Sequence, residues 1–231
     1  MLRPIVHVNV AMSADGKIDT VARAGAAISS PADRERVDRL RAETDAVMVG
    51  GNTLRSENPS LTVRSPELRA ERLRRGEPEN PAKVGIVTVA DFDPAGRFMA
   101  TGPARRFVFT TARTGPSQIE RLRAAGAETY VDQGERVELV AAVESLYHAG
   151  IRSVLVEGGG TLIAELFRLG LVDELSIYVA PVIFGGAAAP TFADGAGFEQ
   201  EERPCLSLRS IERFDPAGGI LVHYAVMHKE R

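Results

Sequence analysis

Short apolar runs alternate with helical segments along most of this chain, and this alternation constrains the fold more than any other feature. The run at 5–12 is rich in β-branched residues. Ser30, Pro31 and Asp33 then supply a cap, a first-position proline and a first-turn acid for a helix ending near Glu43. Further strands are predicted at 46–49, 84–89, 107–110, 153–157 and 175–182, and further helices at 116–125, 135–149 and 161–169. Strands alternating with helices predict a mainly parallel sheet covered on both faces.

The C-terminal end of the chain departs from this alternation. Two strand-like runs, 206–214 and 220–227, flank the turn sequence at 215–219 and predict an antiparallel hairpin at the edge of the sheet. The polar stretch 56–83 contains four prolines, and a connection this long is usually functional or carries a short helix. Because no repeat, low-complexity run or linker interrupts the chain, we expect a single α/β domain over 1–231.

Composition excludes several classes of partner. With 31 acidic and 28 basic side chains and a net charge of −3, the chain has no general attraction for nucleic acid or an anionic membrane. No apolar run approaches the ~20 residues that span a bilayer. The N-terminal Met1-Leu2-Arg3-Pro4 leads directly into a strand, which argues against a signal peptide. Together these features predict a cytoplasmic protein.

The metal-binding residue types are sparse. The single cysteine, Cys205, rules out an internal disulfide, fits a reducing compartment, and is expected to be a packed or edge thiol. The four histidines have no mutual spacing typical of metal ligands, and there is no Cys/His cluster, so we predict no metal site.

Three consecutive glycines carry the strongest local signal of function. Gly158, Gly159 and Gly160 follow a buried strand and precede a helix that begins at Thr161. Glycines let backbone amides approach a ligand, and a helix N-terminus adds unpaired N–H groups and partial positive charge. This arrangement predicts a pyrophosphate site, although the spacing is neither that of a Rossmann motif nor that of a P-loop. The alternative is a tight strand-to-helix turn without a ligand.

A second strand–glycine–helix junction occurs at 48–54. Thr53 lies just after its two glycines, where its hydroxyl could cap the helix or contact phosphate. Ligands of open α/β sheets bind at the carboxyl ends of strands, so we expect the two junctions to face one crevice.

Three other positions are candidates for chemistry. Asp15 lies in the segment 13–17 after the first strand, which is either a simple turn or a mobile loop that closes over a bound cofactor. Arg64 suits a substrate phosphate because a guanidinium binds phosphate bidentately, although a loop arginine can also be merely solvated. Glu157 ends a strand beside the glycines, where its carboxylate could accept hydrogen bonds from a substrate amine or ring N–H.

Six segments, in order and spread over the chain, resemble the stand-alone pyrimidine reductases of riboflavin biosynthesis. This family is similar to the C-terminal reductase domain of the bifunctional deaminase-reductase and shares the fold of dihydrofolate reductase. The segments are NVAMSADGKI from Asn9, ISSPADRERV from Ile28, DAVMVGGNTL from Asp45, NPSLTVR from Asn58, VEGGGTLIAELFRLGLVDEL from Val156 and VAPVIFGG from Val179. The resemblance implies a dihydrofolate reductase-like α/β fold and a homodimer.

The resemblance also implies the ligands and their contacts. NADPH would lie across the carboxyl ends of the central strands, and the substrate beside it. The cofactor contacts implied are Thr53, Glu57, Thr88 at the adenosine end, and Gly158, Gly159, Gly160 and Thr161 at the pyrophosphate. The substrate contacts implied are Asn9, Leu61, Arg64 and Glu157, with Asn9 and Asp15 flanking the nicotinamide region.

The reaction implied is NADPH-dependent reduction of a ribosylamino side chain to ribitylamino on a phosphorylated diaminopyrimidine or its deaminated form. An imine accepts hydride well only when protonated, so some acid must act. Asp15 and Glu157 are the candidate catalytic donors, and the substrate's own ring N–H or a water are alternatives. Two other functions are considered: a paralogous reductase acting on dihydrofolate or another pterin-like substrate, and a non-catalytic NADPH-binding module.

The chain departs from the family pattern at two places. Glu57-Asn58-Pro59 stands where the family usually has Asp-Asp-Pro, and Val87-Thr88 stands where it usually has Asp-Ser. Both departures fall at ribose contacts of the cofactor and bear on the preference for NADPH over NADH. Arg113 is a candidate substitute ligand for the 2′-phosphate.

Overall fold

The structure, a computed structural model, describes residues 2–228. The chain divides into two compact units that alternate along the sequence: Met1–Pro4 with Val37–Leu155, and Ile5–Arg36 with Val156–Arg231. They are called unit 1 and unit 2 below. The expected single domain over 1–231 stays a prediction.

The described residues contain nine strands and seven helices, which are joined by loops. The strands are β1 Ile5–Ser13, β2 Ala46–Gly50, β3 Ala82–Ile86, β4 Arg106–Thr111, β5 Glu128–Asp132, β6 Ser153–Gly158, β7 Glu174–Ala180, β8 Cys205–Arg213 and β9 Ile220–Met227. The helices are α1 Pro31–Glu43, α2 Gly51–Glu57, α3 Pro66–Arg74, α4 Arg97–Ala100, α5 Pro116–Ala124, α6 Leu139–His148 and α7 Gly160–Arg168.

Unit 1 is built on parallel strands in the order β5-β4-β3-β2, with the first half of β6 beside β2. Its main core joins apolar residues of these strands to side chains from α2, α4 and α5, among them Leu54, Phe98 and Leu122. Because parallel neighbours end at the same edge of a sheet, β2, β3 and β4 present their carboxyl ends together.

Unit 2 places the second half of β6, then β1, β7, β9 and β8, side by side. β7 runs parallel to β1, whereas β9 is antiparallel to β7 and to β8. One face of β1 is fully apolar, with Val6, Val8 and Val10 buried. α7 is an amphipathic helix, and the residues on its buried face are Leu162, Ile163, Ala164, Leu166 and Phe167.

Most predicted elements are confirmed, including the first strand, the capped start of α1 and the C-terminal hairpin. Ser30 Oγ accepts a hydrogen bond from Asp33 N (3.2 Å), as expected of a cap. The 56–83 stretch does carry a helix, α3, whose N-cap Ser65 accepts from Leu68 N.

The differences lie where local pattern is weak. Strand β5 and helix α4 were not predicted, because ETYVD is a polar sheet edge and α4 is a single turn. β3 runs from Ala82 to Ile86 instead of the predicted 84–89, so it begins and ends earlier than predicted, and it includes the fully buried Lys83. Lys83 Nζ donates to the carbonyl oxygens of Phe98 (2.9 Å) and Thr101 (2.5 Å), and those bonds make its burial tolerable. α6 starts at Leu139 because Glu138 caps it, accepting from Val140 N and Ala141 N.

Within the described part of the chain, no helix combines the length and apolar character that a membrane span requires.

Candidate active site

The glycine junction predicted at 158–160 forms at the end of β6. Gly158 and Gly159 have φ values of +153° and +84°, which side-chain-bearing residues rarely adopt. Gly159 is the N-cap of α7 and offers no side chain to the first-turn amides, and Thr161 follows as an exposed residue. Amides at a helix start carry the positive end of the helix dipole, so this junction suits an anionic ligand.

Gly160 is required by the packing of the chain itself. A Cβ at this position would lie 2.5 Å from the carbonyl oxygen of Thr191 and 3.3 Å from Asp194 Cγ. Asp194 Oδ1 accepts from Thr191 N (3.0 Å) and Thr191 Oγ1 (2.8 Å), and so holds the Thr191 turn in place. The segment 191–194 therefore rests directly on the first turn of α7.

Asp15 is engaged by three donors. Its Oδ1 accepts from Ser13 Oγ (2.6 Å) and Phe184 N (3.1 Å), and its Oδ2 accepts from Gly185 N (2.7 Å). The Ser13 hydrogen bond, together with the Phe184 and Gly185 amides, lowers the pKa of Asp15 to about 2. The loop after β1 is thus tied to the turn after β7, and its closing over a cofactor stays a prediction.

The second glycine junction forms in unit 1, at the end of β2. Gly50 is the N-cap of α2, Thr53 lies within this helix, and Glu57 is its exposed last residue. Asn58 follows in the left-handed conformation (φ +44°), and its Oδ1 accepts from Phe98 N (3.0 Å). Asparagine and aspartate both tolerate this conformation, so the family departure at Asn58 is compatible with the turn.

The other candidate residues of unit 1 differ in exposure. Leu61 has φ +53° and is only 1% exposed, so a substrate contact at this position would fall to its main chain. Arg64 has an exposed side chain, and its backbone N donates to buried Asp38 Oδ1 (2.6 Å). Thr88 follows β3, and its carbonyl accepts from Thr111 Oγ1 (2.8 Å).

The structure groups the candidates by unit. Gly158–Thr161 and Asp15 are joined in unit 2 through the residues between Phe184 and Asp194, while Thr53, Glu57, Leu61, Arg64 and Thr88 belong to unit 1. That the two glycine junctions face one crevice stays a prediction.

Two remaining candidates lie on strands of unit 2. Asn9 is 5% exposed within β1, and its Oδ1 accepts from Arg36 Nη2 (2.7 Å), which also donates to Asp33 Oδ1 (2.7 Å). Glu157 is half-buried at the penultimate position of β6, directly before the glycines.

Sequence reasoning missed an open cavity of about 410 Å³ in unit 1. It lies at the carboxyl ends of β3 and β4, and its lining includes Asp91, Phe92, Thr114, Gln118 and Arg121. Val89 also lines the cavity, and Thr88 is the residue directly before it in the chain. In the sequence, this cavity was indicated only by the connections that follow β3 and β4, where strands lead toward helices.

Sequence reasoning also missed a polar cluster formed by His7, Ser176 and His223. His7 Nε2 and His223 Nδ1 lie 2.7 Å and 3.0 Å from Ser176 Oγ, and Glu174 Oε2 is 3.9 Å from His7 Nδ1. Burial, followed by His223 and Arg36, lowers the pKa of His7 to about 4. Within residues 2–228, no group of three or more His, Cys, Asp or Glu could hold a metal ion.

The His7 cluster predicts a loss of stability in mild acid. An unfolded histidine binds a proton near pH 6.5, whereas folded His7, with a pKa of about 4, does not, so stability falls as pH drops between these values. We expect His7 to account for a loss of about 2 kcal/mol between about pH 7 and about pH 5. Urea unfolding across this range should show a shallower pH dependence for His7→Asn. The exposed His148→Asn is the control, and equal slopes for wild type and His7→Asn would contradict the prediction.

The mainly parallel sheet, its flanking helices and its antiparallel C-terminal hairpin define the class of this protein as α/β. Within that class, the chain belongs to the RibD C-terminal domain family, which matches residues 4–218. The family resemblance found in the sequence is therefore confirmed.

Stand-alone relatives match over nearly their whole length. The 2,5-diamino-6-ribosylamino-4(3H)-pyrimidinone 5′-phosphate reductase of Archaeoglobus fulgidus is 41% identical over 212 residues, covering 92% of this chain and 94% of the relative. The protein of the same name from Methanothermobacter thermautotrophicus is 34% identical, covering 97% of this chain and 99% of the relative.

Solved structures share the fold. A pyrimidine reductase-like protein from Corynebacterium diphtheriae superposes with a TM-score of 0.85 at 22% identity, covering 98% of this chain and 93% of that one. A deaminase/reductase from Thermotoga maritima superposes with a TM-score of 0.75 at 25% identity, covering 97% of this chain and 57% of that one. The predicted α/β fold, mainly parallel with an antiparallel C-terminal hairpin, is confirmed.

Proposed function

We propose that this protein is an NADPH-dependent reductase of riboflavin biosynthesis, converting the ribosylamino side chain of a phosphorylated diaminopyrimidine, or of its deaminated form, to ribitylamino. The observation that carries the proposal is the full-length match to reductases named for this pyrimidinone phosphate. The glycine-capped start of α7 supports it, because a phosphorylated cofactor needs such an anion site.

Each of the two units contains residues that suit one part of NADPH. The amides that follow Gly158 and Gly159 would hold the pyrophosphate, beside the hydroxyl of Thr161. The 410 Å³ cavity after Thr88 has the size and the mixed polar and aromatic lining of a nucleoside site. Thr53 and Glu57 are assigned further cofactor contacts on the family resemblance. When bound, NADPH supplies the hydride.

Arg64 and Glu157 are proposed to bind the substrate. The exposed guanidinium of Arg64 is available for a phosphate monoester, and its backbone is fixed by Asp38. By the family resemblance, the carboxylate of Glu157 would accept a hydrogen bond from a ring or amino N–H of the substrate. Leu61 and Asn9 stay substrate contacts by resemblance.

Reduction of the imine also requires a proton on its nitrogen, and NADPH, which supplies the hydride, does not supply this proton. Because the pKa of Asp15 is about 2, its carboxylate is ionised at neutral pH and holds no proton to give. That leaves Glu157, the substrate's own ring N–H or a water as donors, and it favours a different role for Asp15.

An assay with purified protein tests the proposal. We expect loss of the nicotinamide absorbance band when NADPH is mixed with the ribosylaminopyrimidine phosphate or its deaminated form, and no loss with dihydrofolate. Turnover of dihydrofolate alone would instead indicate a pterin reductase. Tight NADPH binding without any substrate-dependent loss would indicate a binding module.

We also propose a homodimer formed through β8. All nine residues of this strand are exposed, and among the described strands β8 has a neighbour on one side only. Leu208 and Ile211 are 55% and 62% exposed, which is unusual for large apolar side chains beside an open strand edge. A second copy of the chain would cover both.

The exposed free thiol of Cys205 on the same strand favours a reducing compartment, and we propose the cytoplasm.

The double variant Leu208→Lys/Ile211→Lys should be monomeric. Burying two lysines in place of two apolar side chains is expected to weaken dimerisation at least about 100-fold, a change of about 2.7 kcal/mol. Sedimentation velocity over a range of concentrations measures this. Leu73→Lys on α3, where Leu73 is 59% exposed, is the matched control. A double variant that dimerises as tightly as Leu73→Lys would place the interface elsewhere.

A further inference from the structure

The loop after β1 and the turn after β7 are joined by an ionised carboxylate. Asp15 accepts from the amides of Phe184 (3.1 Å) and Gly185 (2.7 Å), and Ser13 Oγ fixes its rotamer (2.6 Å). Gly185 and Gly186 have φ values of +65° and +80°, so this turn adopts a conformation that few other residues would stabilise. The carboxylate therefore holds a turn of unusual backbone conformation.

Other contacts join the loop after β1 to the residues that follow β7. Four hydrogen bonds run from this loop to those residues: Ala14 N to Val182 O (2.8 Å), Ile18 N to Pro190 O (3.0 Å), Lys17 Nζ to Ala189 O (3.3 Å) and Arg23 Nη2 to Ala188 O (3.4 Å). A Cβ on Gly186 would lie 2.7 Å from Val21 Cγ1, so the packing is close as well. The residues from Val182 to Asp194, called the 182–194 segment below, are thus bound to the β1 loop at Val182, at the 184–186 turn and at residues 188–190.

The other end of the 182–194 segment touches the glycine junction. Thr191 O lies 2.5 Å from the place that a Cβ of Gly160 would occupy, and Asp194 closes the turn that holds Thr191 there. The carboxylate of Asp15 is the acidic group by which the β1 loop binds this segment, and the cationic groups of Lys17 and Arg23 bind it at Ala189 and Ala188. The 184–186 turn and residues 188–190 are held by the same β1 loop, and Thr191 follows directly, so loosening the loop at Asp15 would loosen the contact on the first turn of α7.

We propose that Asp15 is a positioning residue: its carboxylate holds the 184–186 turn and so fixes the 182–194 segment against the helix start that binds the cofactor pyrophosphate. The inference rests on the proposed function, and it gives Asp15 a role other than proton donation. The carboxylate is suited to this role because it accepts from all three donors at once. An asparagine side chain in its place would offer one acceptor oxygen and would turn an N–H₂ group toward a backbone N–H.

The experiment compares Asp15→Asn with Asp19→Asn. Asp19 lies in the same loop, but within residues 2–228 its carboxylate accepts from nearby backbone N–H groups, those of Thr20, Gly25 and Ala26. The readouts are hydrogen exchange of the Phe184 and Gly185 amides in ligand-free protein, the dissociation constant of NADPH, and kcat and KM for the pyrimidine.

Asp15→Asn should accelerate exchange at Phe184 and Gly185 and weaken NADPH binding by at least about tenfold, since charge-assisted hydrogen bonds are lost. Asp19→Asn should leave all these quantities within about twofold of wild type. A fall in kcat with unchanged NADPH affinity would overturn the proposal, because it would make Asp15 a chemical participant. Unchanged exchange and affinity would overturn it as well.

Ser13→Ala provides the second variant if Asp15→Asn does not fold. It keeps the carboxylate but removes the hydrogen bond that contributes most to the low pKa of Asp15, so the pKa of this group should rise. Because the Ser13 hydrogen bond also fixes the rotamer of that carboxylate, exchange at Phe184 and Gly185 should be faster in Ser13→Ala than in wild type, and identical exchange rates would contradict the proposal. The exchange measurement needs no cofactor, so a wild-type protein that fails to bind NADPH would sink the proposed function while leaving the joint between the two segments testable.

Discussion

Replacing Gly160 with alanine is expected to weaken NADPH binding about 10- to 100-fold. The added Cβ would lie 2.5 Å from Thr191 O, whereas such contacts below 3.0 Å are essentially never seen, so one backbone must move by at least about 0.5 Å. The added Cβ is fixed to the backbone of residue 160 and its neighbour is the backbone oxygen of Thr191, so no side chain can rotate to relieve the contact. Overpacking of this kind costs about 1–3 kcal/mol, and we expect the cost to fall on the first turn of α7, where the pyrophosphate would bind.

Fluorescence titration with NADPH measures the effect, and thermal unfolding of ligand-free protein reports how much of it is general destabilisation. Gly170→Ala at the other end of α7 is the matched control. Gly170 has φ +65° but nothing within 4 Å of an added Cβ, so its substitution strains the same helix without touching the 191–194 turn. If Gly160→Ala and Gly170→Ala bind NADPH equally well, the start of α7 is not the pyrophosphate site.

Much of the fold could be predicted from the sequence because its boundaries are set by local chemistry. Ser30 and Pro31 mark the start of α1 as a cap and a first-position proline, and the glycines at 158–160 mark the boundary between β6 and α7. The β5 strand could not be predicted, since ETYVD has neither an apolar run nor a clear alternation. Its pairing with β4 is decided by tertiary contacts.

The candidate site was predictable only in part, for a similar reason. The glycines of the β6–α7 junction are adjacent in sequence, so their pattern is visible before folding. The partners of Asp15 are not, because Phe184 and Gly185 lie 169 and 170 residues further along the chain. The contact between Gly160 and Thr191 was not visible in the sequence either, because the two residues are 31 positions apart (191 − 160) and meet only in the folded chain.

Replacing Glu157 with glutamine is expected to lower kcat by about 10- to 150-fold with a smaller change in NADPH affinity. Glutamine keeps the size and shape of the side chain but removes the charge, and a hydrogen bond to a charged group is worth about 1.5–3 kcal/mol. Glu157 is the last side chain of β6 before the glycines, and glutamine in its place should leave the backbone of the junction intact, so a fall in kcat would report on the proposed substrate contact.

Steady-state kinetics over a range of pH provide the measurement, because the two roles open to Glu157 differ there. If Glu157 only accepts a hydrogen bond from the pyrimidine, Glu157→Gln should lower kcat/KM equally at every pH at which the wild-type carboxylate is ionised. If it instead donates the proton, it must be protonated to act, so the basic limb of the wild-type profile should disappear in the variant. Glu165→Gln is the control, since Glu165 lies on α7 and pairs with Arg168 at 3.3 Å. Kinetics of Glu157→Gln that match those of Glu165→Gln would remove Glu157 from the substrate site and leave recognition of the pyrimidine ring to residues not yet assigned.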